Sequence, residues 1–224
     1  MDPGKLTGGP STTMIAVLFG VFAALCWSVH DLIARSMAAQ IGAFRMAALV
    51  IISGGVLLSF YVLYDGAVWA ASREQLMSGF ALGLAYGFGV GGLFKAFSLG
   101  PISLVGPITA GYPVLAVLWG VANGLEPSPL QWGAVAATVI GAIIVARSGT
   151  EDGGINAVAP GKMPVLLFFA VMAVLGYSAS IVLGQRAALQ VGEIEATWLS
   201  RATALLVLLP FMLREANFSH LTPR

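Results

Sequence analysis

His30, Asp31 and Lys95 are ionisable side chains set within long apolar stretches of this sequence. A charge at membrane depth is costly, so such a residue is paired, drawn to the interface, or there to handle a solute or a proton. Asp31 has His30 beside it and Arg35 four residues on, a helical spacing at which two side chains meet. One chemistry open to this cluster is solute or proton binding by the carboxylate, with His30 titrating near neutral pH. The other is a paired cluster that ends a helix at the interface. Lys95 follows Gly83, Gly87 and Gly91 at steps of four. Positions i and i+4 drift by only about 40° around a helix, so the later glycines and Lys95 share a stripe. A glycine stripe faces another helix, which would turn Lys95 inward. A lysine near a helix end also has the length to snorkel to the headgroups. Tyr86 and Tyr112 are the aromatic groups suited to flank a small organic solute. Trp27 and Tyr177 either join them or anchor at interfaces. The candidate substrate-binding set is therefore His30, Asp31, Tyr86, Lys95 and Tyr112.

Other chemistries find little support. Gly176-Tyr177-Ser178-Ala179-Ser180 nearly spells a nucleophile elbow, but Ser180 replaces the final glycine and the setting is mid-helix. An intramembrane serine hydrolase would need His30 to face Ser178 from another span. Cys26 is the single cysteine and His30 and His220 the two histidines, which argues against internal disulfides and cysteine- or histidine-rich metal centres. No phosphate loop or dinucleotide fingerprint occurs. We expect no catalytic residue, no cofactor and no metal. The net charge of +1 and the lack of a basic run exclude nucleic acid as a partner.

These residues must be positioned by helices in a bilayer. The chain has 224 residues, 58% hydrophobic and 9% charged, against about 25% charged in an ordinary soluble domain. Seven apolar runs have the length of a bilayer core: 14–34, 42–63, 78–99, 101–122, 129–147, 163–184 and 195–213. None alternates as a barrel strand would. The expected fold is an all-α transmembrane bundle. Ser98-Leu99-Gly100-Pro101 is a turn so tight that the spans on either side are antiparallel neighbours. Ser128-Pro129 is an N-cap followed by proline in the first helical position. The fourth span carries Gly106-Pro107 and Gly111-Tyr112-Pro113, so it is expected to bend and to turn away from lipid. Arg45 and Arg201 fall near span starts and suit interface anchoring.

The stretch 148–161, SGTEDGGINAVAPG, separates two similar segments. Trp27-Ser28 and Ala38-Ala39-Gln40-Ile41-Gly42 find counterparts in Tyr177-Ser178 and Ala188-Leu189-Gln190-Val191-Gly192. Arg45-Met46-Ala47-Ala48-Leu49 likewise aligns with Arg201-Ala202-Thr203-Ala204-Leu205. A five-span repeat places its second copy upside down, as in many secondary transporters. The division expected is a disordered tail over 1–13, a first repeat over 14–148, a linker over 149–161, two helices of a second repeat over 162–214, and a tail over 215–224.

The run Phe94-Lys95-Ala96-Phe97-Ser98-Leu99-Gly100-Pro101-Ile102-Ser103-Leu104-Val105-Gly106-Pro107-Ile108 resembles the third-to-fourth helix turn of the drug/metabolite transporter superfamily. Tyr112-Pro113-Val114, Gly124-Leu125-Glu126, Ser128-Pro129-Leu130-Gln131-Trp132-Gly133 and Gly141-Ala142-Ile143-Ile144-Val145 are similar to its EamA-like branch. The resemblance implies ten helices in two five-helix repeats around a central substrate cavity, with a cytoplasmic amino terminus. The distribution of Lys and Arg favours the opposite orientation under the positive-inside rule. Seven spans against ten lead us to expect a shortened carrier. The function expected is alternating-access movement of a small metabolite or drug-like solute across the cytoplasmic membrane. The alternatives are a non-transporting membrane fragment or scaffold and, behind it, the intramembrane hydrolase. The partners expected are the lipid bilayer and a small-molecule substrate, with homo-oligomerisation left open.

Overall fold

The computed structural model of the protein describes residues 10–148 and 158–218. Most of the expected amino-terminal tail and linker, and residues 219–224, lie outside the described residues. Eight α-helices follow one another: α1 (Pro10–Ile41), α2 (Ala43–Asp65), α3 (Arg73–Phe97), α4 (Ile102–Thr109), α5 (Tyr112–Ala122), α6 (Pro129–Ser148), α7 (Met163–Val191) and α8 (Glu193–Phe218). A short 3-10 turn, Ala67–Ala70, joins α2 to α3. With α4 and α5 counted as one span, seven segments are long and apolar enough to cross a bilayer. Helices dominate because each satisfies its own backbone donors and acceptors where no water can.

Local chemistry explains where the helices begin and end. Ser72 and Gln75 form a capping box: the Gln75 amide donates to Ser72 Oγ at 3.3 Å, and the Ser72 amide donates to Gln75 Oε1 at 2.7 Å. It starts α3 five residues ahead of the apolar run that begins at Ser78, which hydropathy alone does not register. Ser128 and Gln131 repeat the device at the start of α6, at 2.7 and 3.4 Å. The Ser98–Pro101 turn is as tight as its residues demand, with α3 ending at Phe97 and α4 starting at Ile102. In contrast to the expected gap between spans six and seven, α7 continues to Val191 and Gly192 alone separates it from α8. The 29 residues of α7 exceed the roughly 20 that a hydrocarbon core requires.

Helix α3 lies at the centre, packed most extensively on α7 and then on α8. Its glycines make two faces. Gly79, Gly83, Gly87 and Gly91 meet Leu199, Thr203, Val207 and Leu208 of α8. Gly89 and Gly92 meet Tyr177, Phe169 and Ala173 of α7, where Gly176 in turn lies against the backbone of Gly89 and Ala85. Missing side chains let the backbones approach closely, and close approach replaces the hydrophobic drive that lipid cannot supply. The buried residues around Ile51, Val90, Phe94 and Leu208 form one core, and those around Leu93, Phe97, Val105 and Leu166 another. Helices α1 and α6 stand at the outside with little of their surface covered.

The fourth span does bend, into α4 and α5 at Ala110-Gly111. The Thr109 hydroxyl lies 3.0 Å from the carbonyls of Val105 and Gly106, within the turn disturbed by Pro107. The span does not turn wholly from lipid, however: Leu115, Leu118 and Trp119 of α5 are exposed. The bend comes from the prolines, whereas burial depends on neighbours, and among the described residues α5 packs chiefly on α7.

Candidate functional site

A cavity of about 750 Å³ lies between α1, the broken α4–α5 span, α6 and α7. Its size is that of small-molecule sites, which run from about 300 to 1,000 Å³. The polar part of its wall includes Asp31 from α1, Ser103 and Thr109 from α4, Tyr112 from α5 and Tyr177 from α7, with Ser28, Thr138 and Ser148, and Trp27 stands one turn before Asp31 on α1. Residues from six helices converge, Leu93 and Phe97 of α3 among them, because α4 stops at Thr109, and the chain re-enters a helix at Tyr112 with Pro113 in its first turn. Tyr177 stands in an aromatic row, its ring 5.4 Å from that of Tyr112 and 6.1 Å from that of Tyr86.

The five sequence-predicted residues are not gathered at one place. Asp31 and Tyr112 line the cavity. His30 stands behind Asp31, its Nδ1 3.0 Å from Asp31 Oδ1 and its ring edge-on to Phe94. This neighbour is Asp31's partner among the described residues, rather than Arg35 one turn on. His30 Nε2 is buried without a partner. Tyr86 is on the far side of Tyr177 and faces a second, smaller pocket. Lys95 lies away from both. Its ammonium is 5.8 Å from the Phe44 ring, in a groove shared with Phe211, Arg214 and Glu215. The glycine stripe does face a helix, but α8 carries Lys95 toward that helix's far end and not into the large cavity.

Sequence reasoning passed over Ser103, whose buried hydroxyl has no hydrogen-bond partner among the described residues and lines the cavity. Pro107 one turn later was a usable signal, because a proline-broken span exposes the side chains beside the break. Trp27 lines both pockets, so it is more than an interface anchor. Ser178 lies beside the same break, with its hydroxyl 2.9 Å from the Tyr112 carbonyl and 2.7 Å from the Val174 carbonyl. A hydroxyl engaged in this way ties α7 to α5. Arg201 also departs from its expected place: α8 starts at Glu193, which puts Arg201 two turns into the helix instead of in its first turn.

Among the described residues, seven helical segments long and apolar enough to cross a bilayer, with a solute-sized cavity at a proline break, define a multi-pass helical membrane protein. Residues 14–147, more than half of the chain, match the EamA-like transporter family, and the chain belongs to that family. The matched stretch runs from α1 through α6 and supplies most of the cavity wall, with Tyr177 added by α7. Neither a curated protein nor a solved structure matches the chain.

Proposed function

We propose that the chain carries a small organic solute across the cytoplasmic membrane by alternating access, and that the cavity beside the α4–α5 break holds the solute. The observation behind this reading is the convergence of Asp31, Ser103, Tyr112 and Tyr177, from four helices, on a largely apolar cavity. A few convergent polar groups in apolar surroundings orient a small ligand without binding it too tightly to release. Family membership supports a carrier over a catalyst. The break gives α4 and α5 separate freedom to tilt, and irregular backbone beside a cavity is where transporters place their sites. The His30 ring, 3.0 Å from Asp31, backs the carboxylate at the cavity wall.

The test is uptake of a panel of radiolabelled metabolites into liposomes containing the purified protein. Saturable uptake above empty liposomes is expected for at least one solute, and Tyr112→Ala should lower its initial rate about tenfold or more, a loss of about 1.4 kcal/mol. Asp31→Asn should flatten the dependence of that rate on pH between about 5 and 8. Uptake that matches empty liposomes across the panel would favour a non-transporting scaffold. A pH profile unchanged in Asp31→Asn would remove proton coupling while leaving carriage intact.

A further inference from the structure

We infer that the second pocket, between α1, α3, α7 and α8, is a binding site for a small organic monocarboxylate, with Arg201 as its anchor. This goes beyond the carrier reading and does not rest on it. The pocket is about 360 Å³, room for a ring-sized molecule, and Trp27, Tyr86, Ser180, Ser200 and Arg201 line it, with Glu193 toward the start of α8. Arg201 is the unusual member. Its Nε is buried without a hydrogen-bond partner, and no carboxylate pairs with the guanidinium among the described residues. The guanidinium lies against Tyr86, its carbon 5.9 Å from the ring centroid and a side-chain hydrogen bond joining the two residues, so a neutral neighbour orients the charge without neutralising it. A cation held inside a membrane span without a counter-anion costs several kcal/mol, which a bound anion offsets.

The surroundings keep the guanidinium in place. A Cβ on Gly54 of α2 would lie 2.8 Å from Arg201 Nη1, so the glycine clears the space that the head group occupies. The Ser180 and Ser200 hydroxyls donate to the carbonyls of Tyr177 and Thr197, which leaves Arg201 as the cationic donor on this wall. A planar fork of N–H groups matches a carboxylate in two-point contact. Glu193 on the same wall disfavours a dianion such as phosphate. The remaining lining, Trp27, Leu82 and the Tyr86 ring, suits an apolar or aromatic body.

The experiment is calorimetric titration of the full chain in nanodiscs of phosphatidylcholine, with benzoate as probe, benzamide as its neutral match and inorganic phosphate as the dianion. Benzoate should bind at least about tenfold more tightly than benzamide or phosphate. Arg201→Gln should weaken benzoate about tenfold or more, and Gly54→Ala should weaken it with the charge still present. Glu193→Gln should admit phosphate, a gain that a misfolded variant cannot show. Equal affinity for benzoate and benzamide, no benzoate binding, or unchanged binding in Arg201→Gln would each overturn the site. Nanodiscs containing phosphatidylglycerol separate the two sources of an anion. If that lipid abolishes benzoate binding at Arg201, the pocket takes a lipid headgroup and the small-molecule assignment fails.

Discussion

The corner between α1 and α2 and the corner between α7 and α8 are built alike and used differently. Each turns on one glycine with a left-handed φ: Gly42 has φ 99 and ψ 148, and Gly192 has φ 96 and ψ 156. Each glycine amide donates to a carbonyl four residues back, from Gly42 to Ala38 and from Gly192 to Ala188, both at 3.0 Å. Each glycine carbonyl then accepts from the helix it opens, from Met46 and from Ala196, again at 3.0 Å. A glutamate lies against both glycines, but from different places. At Gly42 it is Glu215, which reaches across from the far end of α8 and accepts from the amides of Ala43, Phe44 and Arg45 at 3.1, 3.0 and 3.4 Å. At Gly192 it is Glu195, from the first turn of α8 itself. The helices leading into the corners differ as well, since α7 is pressed on the centre of the bundle and α1 stands at its edge. Equal local sequence thus yields equal corners, and the surroundings give each corner its task.

Glycine substitutions separate these levels, beginning with the largest effect. Gly176→Val drives a side chain into the backbone of α3 at Gly89 and Ala85, and should cost about 3 kcal/mol or more in unfolding by denaturing detergent. A glycine on the outer helix has no such neighbour: nothing lies within 4 Å of a Cβ on Gly20. Between these extremes come the corners. Gly42→Ala and Gly192→Ala both force a left-handed φ on a side chain and displace a glutamate, and each should cost about 2 kcal/mol in the same measurement. Costs differing by more than about 1 kcal/mol would break the equivalence of the corners. Glu215→Ala strips three amide donors of α2 of their acceptor and should cost about 2 kcal/mol, with faster hydrogen exchange confined to the first turn of α2. The smallest effect is Gly20→Ala, expected to stabilise by up to about 1 kcal/mol through helix propensity alone.

Much of this molecule is legible as text. Span number, the Ser98–Pro101 turn, the bend at Pro107 and Pro113, and the helix-facing glycine stripe all follow from runs, spacing and backbone restriction. The candidate site was half legible. Asp31 and Tyr112 could be chosen because a carboxylate or a proline-flanked tyrosine inside an apolar run is conspicuous. Lys95 looked equally conspicuous, yet it stands by Phe44, because the stripe that positions it packs on α8 and not on α1. Arg201 was assigned to the interface because the apolar run hid the early start of α8, where Glu193 and Glu195 open the helix. Ser103 carries no charge and draws no notice in a sequence, although its unpaired buried hydroxyl marks the cavity wall.

Span count and corner geometry were already settled along the chain. Both depend on terms that act within about twenty neighbouring residues: the transfer of an apolar run into hydrocarbon, and the φ that only glycine adopts at low cost. Folding in three dimensions settled the partners. It put α3 at the centre, joined Tyr86, Tyr177 and Tyr112 in one row, carried Glu215 onto the amides of α2, and left Arg201 without a paired carboxylate among the described residues. Such contacts depend on which helix faces meet across long separations. In a bilayer that choice is made by close packing and by the pairing of scarce polar groups, and hydropathy measured along one run carries neither.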